Sequence, residues 1–572
     1  MPQDAFTLKH LTKQLNNRFK GGKINKIIQP ENEKVVLTVW MGKGTEKLYL
    51  DVNPASPKIG VFNSQENVPL TAPNFCMLLR KHLQNATIID ITLPIFDRIV
   101  KIDLVQKGDF FDDAKKTLFV ELMGRYSNII LTENGKVLGG NRGINFFDNG
   151  VRPLIVNRPY VYPPTNDKKQ PNDVTLIDDF INQNPDSVSS FIASNIQGIS
   201  SATAKEIESR FSSSDSEQRV LAERARRLYD FINEFIENST PNPCVYFEKG
   251  KAVDVCVMAY QTIESEPVFF EDLITAEAKY FSVVDEGKKF AQKKDKLQSI
   301  ITALIKKNKR KLTTLNARDK DASSADENRL KGELLLANIY RIKKGEKQVE
   351  LDNYYDNTKV KITLDENLDV SKNAERYYKK YNKQKRTLEA LIPQKEQAKR
   401  EEGYLCSVLE EISLAENVFE LNLIESELEK QGLIKENKKS TKKQEESISF
   451  NEYEIDGYVV KSGRNNIEND KLTFTSKPLD IWVHAKDYHS AHVIIETNGK
   501  SVDSVPLEVI VKACEISAYY SKAREGGKCE VSYTQKKNVK KPPKSKPGFC
   551  TYTDFKSLMV NANKHEELLK NK

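Results

Sequence analysis

Residues 281–432 constrain the fold of this chain most, because they are rich in lysine and glutamate and poor in glycine. Their apolar residues recur at three- and four-residue spacing in two arms, which predicts long helices that pack as a coiled coil. A break near residues 340–370, with Gly345 and a β-prone segment at 358–363, predicts an antiparallel hairpin with a small insertion at its tip. Pro393 is expected to kink or offset the return helix.

The regions on either side of this hairpin mix strand and helix patterns, so we predict an α+β multidomain protein. At 572 residues the chain is also too long for a single core. We expect a mixed α/β domain at 1–170, a helical domain at 171–280 whose strands return to the first domain, and the hairpin at 281–432. A polar linker at 433–448 and an α+β domain at 449–572 follow. In the last domain, strands are predicted at 452–461, 471–475, 481–484, 493–496 and 530–533, with a helix at 507–522.

Composition sets limits on the class of protein. The formal net charge is +8, and the seven cysteines are scattered with no CxxC pair, which is typical of reduced thiols in a cytosol. No apolar run approaches the length that spans a membrane. The start of the chain shows no basic segment followed by an apolar one, so we expect a cytoplasmic protein.

Residues 195–207 place a short turn around Gly198 before a helix that a serine would cap. This layout is typical of a helix-hairpin-helix, in which backbone N–H groups meet a phosphate. An ordinary turn between two helices fits the same residues, and the sequence leaves both interpretations open.

The segment Asp480-Ile-Trp-Val-His-Ala-Lys-Asp487 alternates apolar and polar side chains, which predicts a half-buried strand. Its polar face would carry Trp482, His484 and Lys486, next to Asp487, and would suit contact with RNA. His484, His489 and His492 do not have the spacing of a zinc site, so we expect no metal.

A lysine-rich segment follows, with six lysines in residues 536–546 and no acid between Glu530 and Asp554. Prolines stiffen it, which favours a displayed phosphate-binding surface over a solvated loop. The lysines are Lys536, Lys537, Lys540, Lys541, Lys544 and Lys546.

In the first domain, Asp97 and Arg98 are adjacent at the start of a predicted strand, and Glu121 and Arg125 follow further along. From the residues alone, surface salt bridges explain both pairs. No nucleophile with its base and no phosphate-binding glycine loop is found, so no catalytic residue and no cofactor is predicted.

Six motifs, in this order, resemble the NFACT family along nearly the whole chain. The expected domain order of that family also agrees: an N-terminal NFACT domain, a helix-hairpin-helix, a coiled-coil hairpin and a C-terminal RNA-binding domain. The motifs are Phe75-Cys-Met-Leu-Leu-Arg-Lys-His82, Phe96-Asp-Arg98, Glu121-Leu-Met-Gly-Arg-Tyr-Ser-Asn128, Asn353-Tyr-Tyr355, Asp480-Ile-Trp-Val-His-Ala-Lys-Asp487 and Lys546-Pro-Gly548.

This resemblance implies ribosome-associated quality control. It implies binding to a large ribosomal subunit obstructed by peptidyl-tRNA, recruitment of alanyl-tRNA, and untemplated C-terminal alanine tailing of the stalled chain. Asp97, Arg98, Glu121 and Arg125 match the positions that use tRNA. The hairpin would contact rRNA and a protein at the stalk base, and the ribosome would form the peptide bond, so the protein itself would not be an enzyme.

The chain departs from the family at Tyr488-His-Ser-Ala-His492, where members usually have Ile-Pro-Gly-Ser-His. The local turn is therefore expected to differ. An alternative function, suggested by an older family label, is a fibronectin-binding surface adhesin. The sequence disfavours it, because neither a signal peptide nor a sorting motif is found. A DNA-repair glycosylase is disfavoured too, because the motif context of those enzymes is missing.

Overall fold

The computed structural model describes residues 3–62, 66, 68–106, 114–142, 152, 154–165, 167–214, 220–435, 450–543 and 545–562. It divides into two compact units, Met1–Lys288 and Lys289–Lys572. Most of the predicted linker at 433–448 lies outside the described residues, as does Lys544 of the lysine-rich segment. The finer division into domains stays a prediction.

The first unit is built on a nine-stranded antiparallel sheet in the order β4-β3-β2-β1-β5-β6-β7-β8-β9. Helices α1 and α2 pack their apolar faces on it, and Leu8, Leu11 and Leu15 of α1 are fully buried. The bounds are α1 (Ala5–Phe19), β1 (Lys23–Glu31), β2 (Lys34–Trp40), β3 (Thr45–Asp51), β4 (Lys58–Gly60), α2 (Asn74–Leu83), β5 (Thr87–Thr92), β6 (Ile99–Gln106), β7 (Ala114–Glu121), β8 (Asn128–Glu133) and β9 (Lys136–Gly140).

Strand pairing aligns three strand ends on one side of this sheet. Ile99, the first residue of β6, is paired with Glu121, the last residue of β7, and Glu121 is paired with Asn128, the first residue of β8. The residues just beyond these ends are therefore brought together, although they are distant in sequence.

The rest of the first unit is mainly helical and shares the buried core of the sheet. A three-stranded sheet in the order β11-β10-β12 accompanies it. The bounds are α3 (Leu176–Gln183), α4 (Val188–Asn195), α5 (Ser201–Ser214), α6 (Leu221–Asn238), β10 (Cys244–Glu248), β11 (Lys251–Cys256) and β12 (Pro267–Phe269), and the chain leaves the unit within α7 (Leu273–Ala322).

A protein carboxylate lies at the turn between α4 and α5, which favours an ordinary turn between two helices over a phosphate-binding helix-hairpin-helix. Asp4 Oδ2 accepts hydrogen bonds from Ser200 N (3.1 Å) and from Thr203 Oγ1 (2.6 Å). The same carboxylate caps α1 through Oδ1 and Thr7 N (2.9 Å). A protein anion thus occupies the place that a phosphate would take.

The second unit contains the predicted helical hairpin. Pro393 lies inside α9, which continues through it as one helix. Apolar residues of the two arms, among them Leu297, Ile301, Leu405 and Val408, form a buried seam. The bounds are α8 (Ala325–Ala337), β13 (Gln348–Asp352), β14 (Lys359–Thr363), α9 (Val370–Leu414) and α10 (Val418–Lys430), with β13 and β14 forming the predicted insertion.

The C-terminal part of the second unit is a six-stranded sheet in the order β15-β16-β18-β17-β19-β22, with α12 packed on one face. The bounds are β15 (Asn451–Ile455), β16 (Tyr458–Ser462), α11 (Asn466–Thr475), β17 (Ile481–Ala485), β18 (Val493–Ile495), α12 (Leu507–Tyr519), α13 (Ala523–Gly526), β19 (Lys528–Gln535), β20 (Val539–Lys540), β21 (Thr551–Tyr552) and β22 (Lys556–Asn561).

The strand predicted at 471–475 is wrong, because these residues form the end of α11. Asn465 caps this helix by accepting a hydrogen bond from Glu468 N (2.9 Å).

Among the described residues, no helix is both long and apolar enough to cross a membrane.

Candidate functional site

Asp97 and Arg98 lie directly before β6, at the aligned strand ends. Asp97 is buried and accepts hydrogen bonds from Arg98 N (2.7 Å) and from Gln197 Nε2 (2.7 Å). Arg98 O in turn accepts from Leu122 N (2.9 Å), which ties this segment to the end of β7. The Asp97 carboxylate is therefore used within the fold, where it fixes the backbone of Arg98.

Glu121 is buried at the end of β7 and is held by two partners. Arg152 donates to both carboxylate oxygens, at 2.7 and 3.0 Å, and Tyr160 Oη donates at 2.8 Å. The Tyr160 ring stacks on Phe119 with centroids 3.8 Å apart. Burial and the neighbouring Glu121 charge raise the pKa of Tyr160, so its hydroxyl remains a hydrogen-bond donor at neutral pH.

Arg125 lies in a 3₁₀ turn, Gly124–Tyr126, that joins β7 to β8. Its guanidinium stacks on the Tyr126 ring at 4.7 Å, and both side chains are exposed. Arg142 fixes the turn: its side chain donates to Arg125 O, and its backbone N–H donates to Asn128 Oδ1 (2.9 Å). The turn thus holds an exposed cation and aromatic in a defined position.

Together these contacts separate the charges at this end of the sheet. The two carboxylates, Asp97 and Glu121, face inward and are hydrogen-bonded, whereas Arg125 is exposed and Arg98 and Arg142 are partly exposed. Such a surface favours an anionic partner, and its fixed guanidinium groups suit phosphate oxygens.

The sequence predicted that Asp97, Arg98, Glu121 and Arg125 matter, and the strand ends bring them together. The surface salt bridge expected for Glu121 is wrong, because its ion pair is buried and is formed with Arg152. Arg152, Tyr160 and Gln197 were missed. The signal that the segment around Tyr160 packs on the sheet was its tyrosines, since Tyr160 stacks on Phe119 of β7.

In the C-terminal sheet, β17 does not have the expected polar face. Trp482 is fully buried in a cluster with Leu472, Ile494 and Val539. His484 stacks on Trp482, and burial lowers its pKa to about 4, so it is neutral at pH 7. The prediction that Trp482 contacts RNA directly is therefore wrong, because side chains cover both faces of the strand.

Lys486 and Asp487 follow Trp482 and His484 at the end of β17. Lys486 Nζ lies 3.0 Å from both carboxylate oxygens of Glu530, and Asp487 is exposed with φ +61°. Ser490 Oγ accepts from Ala485 N (3.0 Å). This hydrogen bond closes the turn in which the chain departs from the family pattern.

Among the described residues of the lysine-rich segment, two lysines are exposed and have no ion-pair partner. Lys537 and Lys540 are exposed, whereas Lys541 pairs with Asp470. Lys536 lies over the Phe474 ring at 5.8 Å. Within the described part of the chain, no group of three His, Cys, Asp or Glu side chains is arranged to hold a metal ion.

Comparison with known proteins finds similarity along nearly the whole chain. The model of the NFACT N-terminal and middle domains matches residues 4–447, and the model of the NFACT protein RNA binding domain matches residues 448–549. The Rqc2 homolog RqcH of Streptococcus pneumoniae is 30% identical over 98% of this chain and 98% of its own length. That of Bacillus subtilis is 30% identical over 96% of both chains.

Among solved structures, the N-terminal part of the fibronectin/fibrinogen-binding protein from Streptococcus suis is 24% identical. It covers 49% of this chain and 98% of its own, with a TM-score of 0.41, too low to carry an inference. The two family models and the full-length relatives are decisive: this chain belongs to the NFACT family, in the RqcH group of ribosome quality control factors.

Proposed function

We propose that this protein binds large ribosomal subunits obstructed by peptidyl-tRNA, recruits alanyl-tRNA, and promotes untemplated C-terminal alanine tailing of the stalled chain. The observation that carries the proposal is the similarity to RqcH proteins over 98% of the chain. The protein would act in the cytoplasm on the ribosome, as a tRNA-recruiting factor and not as an enzyme.

The strand-end surface supports the tRNA part of this proposal. Arg98 and Arg125 would contact tRNA phosphates, while Asp97 and Glu121 would act by holding these arginines and their neighbours in place. Both carboxylates are already satisfied within the protein, so direct hydrogen bonds from either to RNA would require their present partners to leave.

In the C-terminal domain, Lys537 and Lys540 would provide most of the phosphate contacts, with Lys536 and Lys541 beside them. Lysines displayed in this way give binding that depends on salt and not on base sequence. The helical hairpin would reach rRNA and a protein near the stalk base.

Affinity purification from stressed cells, followed by sequencing of the bound RNA, tests the partners. We expect large-subunit rRNA together with tRNA, enriched in the alanine acceptors. Recovery of small subunits instead, or of RNA without large-subunit rRNA and tRNA, would contradict the proposal.

Asp97→Ala combined with Arg98→Ala tests the role of the strand ends. We expect alanine tails on a stalled reporter to be lost while the protein still sediments with large subunits. Arg18→Ala is the matched control, because Arg18 pairs with Glu46 elsewhere in the first unit. Unchanged tails in the double variant would argue against the assigned role.

Fibronectin binding is the alternative function. No feature of the described residues favours it. Immobilised fibronectin and the purified full chain provide a direct test. Saturable binding that survives high salt would support this second function, because a basic protein also binds surfaces nonspecifically at low salt.

A further inference from the structure

Lys546 contacts the helical hairpin, unlike the exposed lysines of its segment. Its Nζ donates a hydrogen bond to Gln431 Oε1 (2.8 Å), directly after α10, and lies 5.4 Å from the centre of the Tyr404 ring on α9. Tyr404 is buried, and its hydroxyl donates to Glu427 Oε1 (2.6 Å). The ammonium group of Lys546 is therefore held by an amide oxygen and an aromatic face that both belong to the hairpin.

Gly548, two residues further along, packs against a second contact with the hairpin. It has φ +76°, and a Cβ there would lie 2.3 Å from Asn466 Oδ1. Asn466 begins α11 and donates through Nδ2 to Ser407 Oγ of α9 (3.3 Å). A residue with a side chain would not fit at position 548 without moving Asn466. The Lys546-Pro-Gly548 motif therefore determines both contacts.

The interface between the C-terminal domain and the hairpin is polar. Among the described residues, the apolar core of the C-terminal sheet and the apolar seam of the hairpin share no member. Further contacts are the ion pair of Lys522 with Glu410 (3.0 Å) and the Arg464 guanidinium over the Phe419 ring (5.4 Å). Polar interfaces of this kind allow domains of one chain to move relative to each other.

A cavity of about 100 Å³ lies in this interface and is lined by Glu410 and Glu411 from α9 and by Asn466 and His492 from the C-terminal domain. Among the described residues, Glu410 Oε2 and Glu411 Oε2 are buried without a hydrogen-bond partner. Burial of unpaired carboxylate oxygens opposes docking. The contacts of Lys546 and Asn466 must therefore offset this cost for the two parts to stay together.

We propose that Lys546 and Gly548 are positioning residues that dock the C-terminal domain reversibly on the hairpin. In the docked state, Lys546 is used within the protein and does not belong to the phosphate-binding surface. Docking instead sets the direction in which the exposed Lys537 and Lys540 face relative to the hairpin arms. The docking contact is a property of the chain alone, whereas its effect on large-subunit binding rests on the proposed function.

Single-molecule energy transfer in the full chain measures docking directly. Donor and acceptor dyes are attached through unnatural residues in place of Glu389 on α9 and Lys500 after β18, both of which are exposed. Lys546→Ala should raise the population of separated molecules by at least about fivefold, because it removes a hydrogen bond and a cation–π contact. Lys546→Arg should keep the wild-type distribution, because a guanidinium also donates to an amide oxygen and lies over aromatic rings.

The matched control is Lys556→Ala, which removes a lysine that pairs with Asp503 (3.2 Å) inside the C-terminal domain. It should leave the energy-transfer distribution unchanged. Gln431→Ala removes the acceptor on the hairpin side and should also raise the separated population. Combined with Lys546→Ala, it should add less than the product of the two single effects, because both variants lose the same hydrogen bond. Gln431 lies outside the C-terminal domain, so this variant carries the test if Lys546→Ala does not fold.

A second measurement separates docking from phosphate binding. Lys546→Ala should leave the affinity of short single-stranded RNA and its salt dependence unchanged, because Lys546 contacts the hairpin. Sedimentation with large subunits should weaken, because Lys537 and Lys540 no longer face in a fixed direction. Lys546→Arg should restore it.

Unchanged energy transfer in both Lys546→Ala and Gln431→Ala, or effects that multiply in the double variant, would overturn the docking contact. A fall of about 0.7 in the salt slope with unchanged energy transfer would identify Lys546 as a phosphate contact instead. Weakened docking with unchanged sedimentation would overturn the positioning role. If energy transfer responds as expected while the wild-type chain fails to sediment with large subunits, the proposed function fails and the docking contact stands.

Discussion

The carboxylate of Glu121 accepts hydrogen bonds from Arg152 and Tyr160, so a substitution there acts first on those partners. Arg152 is 14% exposed in its side chain, and Glu121 only 2%. Removing one member of a buried ion pair leaves the other charge without compensation, which costs more than the pair itself contributes.

We therefore expect Arg152→Ala to lower the free energy of unfolding of the first unit by about 3 kcal/mol. Urea denaturation followed by circular dichroism measures this change. Arg158→Ala, at an exposed arginine of the same segment, should change stability by less than about 0.5 kcal/mol. Equal effects of the two substitutions would show that the buried ion pair between Glu121 and Arg152 does not contribute to stability.

The burial of Glu277 predicts that the free energy of unfolding of the first unit depends on pH. Its Oε2 accepts from Gln3 Nε2 (2.7 Å), and its Oε1 has no partner among the described residues. Burial raises the pKa of Glu277 to about 8, against the opposing effects of the Gln3 hydrogen bond and the Lys58 charge. The folded protein therefore holds this proton more tightly than the unfolded chain does.

Proton linkage gives the direction in which stability changes with pH. The contribution of Glu277 is most favourable below its ordinary pKa of 4.5 and is lost as pH rises towards 8. The slope is on the order of 1.4 kcal/mol per pH unit. Glu277→Gln should flatten this part of the stability curve, measured as urea midpoints from pH 5 to pH 9. An unchanged slope would contradict the assignment.

At the scale of elements, the turn between α4 and α5 joins the helical part of the first unit to the strand ends that form the candidate site. Gly198 has φ +77°, and a Cβ there would lie 2.5 Å from Ala5 Cβ and 2.7 Å from Phe96 O. Phe96 directly precedes Asp97, so any shift of this turn reaches the candidate site.

Gly198→Ala should therefore destabilise the first unit more than Gly250→Ala does. Gly250 has the same φ of +77°, but nothing lies within 4 Å of its would-be Cβ. The control reports the conformational cost alone, about 1 kcal/mol, and the difference between the two variants reports the close packing. Thermal denaturation measures both, and equal shifts would show that the turn is loosely packed.

Elements were predictable from the sequence where one periodicity dominated. Strand β17 and helix α12 begin at the predicted residues, Ile481 and Leu507, because each has a clear apolar pattern. Helix α11 was missed because β-branched and aromatic residues at its end resemble a strand, while its Asn465 and Glu468 capping pattern was overlooked. The alternation in β17 indicated only one buried face, because the sequence could not show that Leu472 and Val539 cover the other.

Pairings between distant residues were the least predictable part of the candidate site. Glu121 and Arg152 are 31 residues apart, and Asp97 and Gln197 are 100 apart. No local pattern links them, since the strand register and the packing of the helical region bring them together. Resemblance to a family predicted a role for Asp97, Arg98, Glu121 and Arg125, and the structure showed that the two carboxylates among them face inward.

At the scale of the whole molecule, RNA contacts are proposed in both units. The strand ends of the first unit offer fixed arginines and one aromatic ring. The lysine-rich segment of the second unit offers exposed ammonium groups. Both predict binding that weakens with salt, because each neutralised phosphate releases counterions.

Lys537→Ala with Lys540→Ala should lower the salt dependence of single-stranded RNA binding. We expect the slope of log K against log salt to fall by about 0.7 for each lysine. Fluorescence anisotropy over a range of KCl concentrations measures the slope. Lys541→Ala should have a smaller effect because Lys541 pairs with Asp470. An unchanged slope in the double variant would remove this segment from the RNA-binding surface.

Strand β22 determines where an expressed fragment of the C-terminal domain should end. The RNA-binding family model ends at residue 549, whereas β22 covers Lys556–Asn561 and pairs with β19 along six residues. A fragment that stops at 549 would leave without partners the backbone N–H and C=O groups of β19 that face β22, although β19 would still pair with β17. Exposed strand edges of this kind recruit one another and lead to aggregation. A fragment that extends to at least residue 562 keeps this edge covered and is the one to express.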